Sequence, residues 1–156
     1  PGFETMEWLG AGPHENYIDR NRSAHIGRYR ASVSERYYRR YVVPQESGNI
    51  TGVRWIALTD DRGNGLLASG LPHMEASALH FTPRDLLDAF HPHELKPRAE
   101  TFLNLDYRQR GLGTGSCGPG TLPEHCILPG TYTFRYRVRP FDAADEQPDV
   151  LGRQAF

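Results

Sequence analysis

Apolar and polar residues alternate with a period of two through most of the chain. In TYTFRYRVR, residues 131–139, Tyr132, Phe134, Tyr136 and Val138 fall on one side and Thr133, Arg135, Arg137 and Arg139 on the other. This is the pattern of a strand with one wet face, so the aromatic side is expected inside and Arg135 and Arg137 comparatively exposed. Weaker runs at 3–9, 35–43, 52–60, 74–81 and 100–108 are separated by turn chemistry at SGN and DRGNG. Together they predict a mainly β, antiparallel fold.

One segment breaks the period. In FTPRDLLDAFHP, Thr82 is placed as N-cap, Pro83 as the first helical residue and Asp85 in the first turn, with Leu86, Leu87 and Phe90 at helical spacing before Pro92. The spacing predicts one short helix near 83–90. Residues 111–130 hold six glycines and three prolines, too many for a continuous helix or strand, so a long loop is expected there. Beyond 141 the chain turns polar and acidic. Residues 1–141 are therefore read as one β segment and 142–156 as a polar C-terminal tail, ordered only if it docks.

Composition narrows the partners more than the chemistry. The 156 residues carry 18 Lys plus Arg against 19 Asp plus Glu, a formal net charge of −1, so no nucleic-acid partner is expected. No run of 18 apolar residues predicts a membrane span, and no basic-then-apolar leader is visible. The opening PGFETMEWLG, without Met and entering as though in mid-strand, reads as part of a longer polypeptide. Two cysteines, Cys117 and Cys126, lack zinc spacing and fit reduced thiols in a cytoplasmic protein.

No catalytic constellation stands out. Glu15, Asp19, Asp60, Asp61, Glu75 and Asp106 are isolated carboxylates, and the Asp60–Asp61 pair sits beside a turn. His91, His93 and Glu94 are broken by Pro92 at a helix end, which favours exposed histidines over a metal cluster. Ser116–Cys117 lacks a nucleophile elbow, and GLGTG has neither a following Lys nor a helix to open. His73 and Glu75 share one face of a strand, the minimum that a mutarotase-like acid–base pair requires. Tyr37, Tyr38, Tyr41 and Trp55 could instead form the aromatic face of a freestanding carbohydrate-binding module.

The stretch WLGAGPHENYIDR, residues 8–20, carries a more specific signal. It resembles the W-x-G-x-G-P-x-E-N-Y-x-D-R segment in the C-terminal domain of glycoside hydrolase family 2 β-galactosidases. The resemblance continues in order through YVVPQESGN, LHFTPRDLLDAFHPHEL, LNLDYRQRGLGTGSC and LPGTYTFRYRVRP, about 140 residues in all. It implies the second half of a galactose-mutarotase-like supersandwich, hence a partial antiparallel β-sandwich. It also implies a retaining hydrolase of terminal β-D-galactosides, whose two catalytic glutamates lie in a separate barrel domain. No catalytic residue, metal ligand or cofactor is then expected in this segment, with Mg and Na left to the enzyme's other domains. The implied partners are a β-galactoside, those remaining domains and further copies in a homo-oligomer. In this family the loop after L-N-x-D reaches the active-site mouth and often presents a Trp to the outer sugar. Here Cys117 stands in its place and is the expected substrate-binding residue.

Within residues 8–20, Gly10 and Gly12 are expected to give backbone freedom, Pro13 a turn, and Glu15 and Asn16 hydrogen bonds to nearby backbone.

Overall fold

In the computed structural model, residues 2–113, 115 and 118–154 are described. They form the expected mainly β, antiparallel fold as one six-stranded sheet. Its strands are β1 (Thr5–Gly12), β2 (His25–Ser32), β3 (Ile50–Thr59), β4 (Asn64–Leu79), β5 (Phe102–Asp106) and β6 (Arg135–Asp142). Every neighbouring pair is antiparallel, in the order β2-β1-β3-β4-β5, and β6 also pairs with β4. This is possible because β4 is 16 residues long. Its first part, Asn64–Leu71, takes β6 and its last part, Glu75–Leu79, takes β5, with the cis Leu71–Pro72 peptide between them.

Among the described residues there are also three short α-helices, α1 (Val33–Arg36), α2 (Pro83–Asp88) and α3 (Pro148–Leu151), and single 3-10 turns at Pro92–Glu94 and Pro123–His125. α2 falls inside the predicted 83–90 and begins as its residue types require. Thr82 Oγ1 accepts the Asp85 N–H at 3.1 Å, and Asp85 Oδ2 accepts the Thr82 N–H at 2.8 Å. Arg98 then clamps Asp85 through Nε and Nη2 at 2.7 and 2.8 Å.

Pleating sorts the core into two faces. Met6 and Trp8 on β1, Ile56 and Leu58 on β3 and Ala68 on β4 share one buried face with Val33, Val53 and Met74. Trp55, Ala57 and Leu67 point the other way, where Phe141 and Leu151 cover them. The tail therefore does dock: α3 brings Leu151 onto the sheet, and Gly152 lies so close that a Cβ there would sit 2.2 Å from the Trp55 ring.

Two expectations are corrected. Residues 35–43 are not a strand. Ser32 and Glu35 form a reciprocal cap that starts α1. The Arg36 guanidinium then lies 4.9 Å from the Trp8 ring and donates to the Pro13 and Gly48 carbonyls. These polar anchors hold the segment as a loop and leave Val42 84% exposed. The strand in this region is β2, an edge strand whose mixed pattern hides it.

The faces of β6 follow expectation only at the start of the strand, where Arg135 is exposed and Phe134, just before it, is half-buried against the core; beyond it they are exchanged. Tyr136 and Val138 are 52% and 45% exposed, and Tyr132 is exposed too. Arg137 and Arg139 lie under the C-terminal segment, bonded to the Leu151 and Gln154 carbonyls and to the Glu146 and Gln154 side chains. Phe141 shares their face and supplies the apolar seal, so residues 146–154 pack there. On the aromatic side Phe134 packs against the core, while Tyr132, Tyr136 and Val138 are left exposed.

Candidate functional site

The irregular stretch after β1 is the organiser of a polar site. Gly12 is needed for close approach rather than for an unusual backbone angle: its Cβ would sit 2.8 Å from the Tyr29 ring. Neither it nor Gly10 has a positive φ, which corrects that expectation. Past the cis Gly12–Pro13 peptide, Asn16 is fully buried and knits two segments together. Its Oδ1 accepts from the Thr51 N–H at 2.8 Å and the Thr51 hydroxyl at 2.6 Å, and its own N–H donates to the Asn49 carbonyl at 2.8 Å.

Glu15 is 6% exposed and takes three donors. The Gly48 N–H binds Oε2 at 2.8 Å, while the Tyr41 hydroxyl and Arg20 Nη1 bind Oε1 at 2.6 and 3.0 Å. With its lone pairs engaged, Glu15 is a structural acceptor, not a free base. Burial, with the bond to Glu15 behind it, pushes the Tyr41 phenol up to about 12, so it stays a donor at neutral pH. Burial likewise pushes the Tyr17 phenol far up.

Asp19 reaches far along the chain. Its carboxylate accepts the Leu112 N–H at 3.1 Å and the Gly113 N–H at 2.8 Å. Burial would raise its pKa, but these two backbone donors outweigh it and hold the carboxyl below its ordinary value. Gly113 has φ +64°, in the left-handed region that glycine adopts without strain. The loop is closed further by Gly111 N–H to the His125 carbonyl at 2.9 Å and by the Thr121 hydroxyl to the Gly111 carbonyl at 2.7 Å.

The result is an open cleft of about 890 Å³. Arg20, Tyr41, Glu46, Leu122 and His125 line it, with Asp19 and Gly113 at the clamp. Burial, then the nearby Asp106, pushes the Glu46 carboxyl up, and its Oε1 is buried without a partner. Such a wall can bind hydroxyl groups through fixed donors and acceptors while presenting an apolar edge at Leu122. It does not assemble two free carboxyl groups across a substrate-sized gap.

The sequence of this chain matches, over residues 1–138, the family described as beta galactosidase small chain. The chain belongs to that family. It is 36% identical over 140 residues to a β-galactosidase of Priestia megaterium, covering 88% of this chain and 13% of that protein. It is 35% identical over 141 residues to one from Arthrobacter sp., covering 87% and 14%, and 30% identical over 143 residues to one from Streptococcus thermophilus, covering 90% and 14%. The chain thus spans about one seventh of the length of these relatives.

The β-galactosidase small chain segment brings some sequence candidates together and scatters others. Asp19 lines the cleft and Glu15 stands behind it, holding Arg20 and Tyr41, and the loop expected to carry Cys117 forms one wall. Cys117 itself lies outside the described residues. His73 and Glu75 both line a second, smaller cleft with Arg108. Asp60 serves the turn, accepting from the Arg62 and Asn64 N–H groups. Glu94 caps the N–H groups of Phe90 and His91, and the His91 and His93 rings stack 5.5 Å apart. Of the imagined aromatic face, Tyr37 and Trp55 are buried and only Tyr38 and Tyr41 reach the surface, so those four residues are not a binding platform. Arg20 and Glu46 carry no sequence signal as site residues beyond membership of the two matching motifs, and Tyr41 adds to it only as part of that aromatic face, since nothing local marks a partner 26 residues away.

Proposed function

We propose that this chain is a non-catalytic segment of a β-galactosidase that hydrolyses terminal β-D-galactosides with retention, and that its larger cleft contributes to the active-site mouth. The carrying observation is the Asp19 clamp. Its two bonds to Leu112 and Gly113 fix the base of the loop that bears Cys117 against the buried Glu15–Tyr41 network. A loop so anchored can meet a leaving sugar at a set distance. The carboxyl pair that protonates the leaving group and attacks the anomeric carbon belongs, in this reading, to another segment of the polypeptide.

The same reading places the enzyme in the cytoplasm as a homo-oligomer, with any Mg or Na held outside this segment. A thiol offers far less stacking surface than an indole, so binding of the leaving sugar is expected to be weak. The test is Cys117→Trp in the full-length enzyme, with glucose as acceptor for the galactosyl intermediate. Several-fold tighter acceptor binding, with hydrolysis of a small aryl galactoside little changed, is expected. Unchanged acceptor affinity in a folded variant removes the loop from the site.

A further inference from the structure

A second cleft, of about 410 Å³, lies beside the cis Leu71–Pro72 peptide of β4 and the end of β5. We propose that it is a binding site for a single neutral sugar, separate from the larger cleft and independent of the enzyme reading above. Its size falls in the range of small-molecule sites, roughly 300–1,000 Å³, and near the lower end. Four side chains carry the chemistry: His73, Glu75, Tyr107 and Arg108.

Glu75 is 6% exposed and is set in place from behind. Asn49, fully buried, donates through Nδ2 to Glu75 Oε2 at 2.8 Å and to the Asn16 carbonyl at 3.1 Å. His73, two residues earlier on the same strand, shares its face and stands exposed at the rim. Arg108 is fixed at one end, with Nη2 donating to the Cys126 carbonyl at 2.9 Å. Its Nε is buried without a partner, while the side chain as a whole is half-buried and lines the cleft.

Tyr107 supplies the remaining element. It is 45% exposed, and its ring is steadied by Tyr132 at 5.5 Å and Phe134 at 6.2 Å. A carboxylate, a guanidinium and an imidazole can divide the hydroxyls of a pyranose among them while its C–H face rests on the phenol ring. A flat apolar ligand would cover the Arg108 and Glu75 groups and offer their remaining donors and acceptors no partner. An anion would meet the Glu75 carboxylate. A neutral polyol satisfies both constraints.

The experiment uses the full-length polypeptide bearing Tyr107→Trp, with the unsubstituted protein titrated in parallel so that the difference in indole emission reports this cleft; within these 156 residues the two natural tryptophans, Trp8 and Trp55, are buried. Titration with D-galactose and D-glucose is expected to give a saturable change at millimolar concentration for at least one of them. Glu75→Gln, which keeps an acceptor for Asn49, and Arg108→Met are each expected to weaken that binding about tenfold or more. A response that does not saturate, or that both substitutions leave intact, overturns the proposal. If Trp at 107 unsettles the fold, equilibrium dialysis of labelled sugar against the unaltered protein and Glu75→Gln counts the site instead. One sugar fewer per chain is expected, and an equal count overturns it.

Discussion

Glu15 draws a backbone amide, a phenol and a guanidinium onto one buried carboxylate, and these donors come from three separated places in the sequence. Removing the acceptor leaves all three facing each other, with Arg36 nearby already short of water. Burial depresses the Arg36 guanidinium, and the Glu15 charge opposes that effect. Glu15→Ala is therefore expected to cost about 3–5 kcal/mol, the range for breaking a buried charged network by losing one partner. Chemical denaturation at neutral pH measures it. A loss under about 1 kcal/mol would show the network to be incidental to the fold.

At the scale of elements, the docking of α3 rests on a contact with no spare room. The space a Cβ would need at Gly152 is filled by the Trp55 indole. Gly152→Ala is expected to lift α3 from the sheet, at about 1–3 kcal/mol for overpacking, with Trp55 emission shifting toward that of a wetted indole. An unshifted spectrum and full stability would mean that the helix adjusts without leaving. The same element explains what the sequence could and could not reveal. β1, β3, β5 and α2 were legible because local patterns decide them: alternation for the strands, Thr82, Pro83 and Asp85 for the helix. The fate of 35–43 was not, since Arg36 and Tyr41 are held by Trp8, Pro13, Gly48 and Glu15, all distant in sequence. Nor was the reversal on β6, because alternation separates two faces without saying which one is covered. Resemblance located the loop of the larger cleft, while Tyr107 and Arg108 of the smaller one lie in the same LNLDYRQRGLGTGSC motif, where nothing in the pattern assigns them a site of their own.

Taken whole, the molecule is a single sheet with one well-covered face and one partly bare. Tyr132, Tyr136 and Val138 form an exposed apolar strip with Tyr107 beside it. Patches of this kind associate in water. The 156-residue chain on its own is expected to self-associate at micromolar concentration, and Tyr136→Lys with Val138→Glu is expected to reduce that association. Sedimentation velocity distinguishes the two; a monomeric unaltered chain would show that the strip is tolerated as it stands.

The Asp19 clamp also sets an order of events in time. Its partners Leu112 and Gly113 lie 93 and 94 residues further along the chain. Closing so long a loop costs entropy that no local contact offsets, so such pairings form after the local hairpins have folded. During synthesis, Asp19 emerges and must stay solvated until β3, β4 and β5 have all followed it. The larger cleft thus acquires its shape only after the β3–β4 hairpin, which a four-residue turn at Asp60–Gly63 joins.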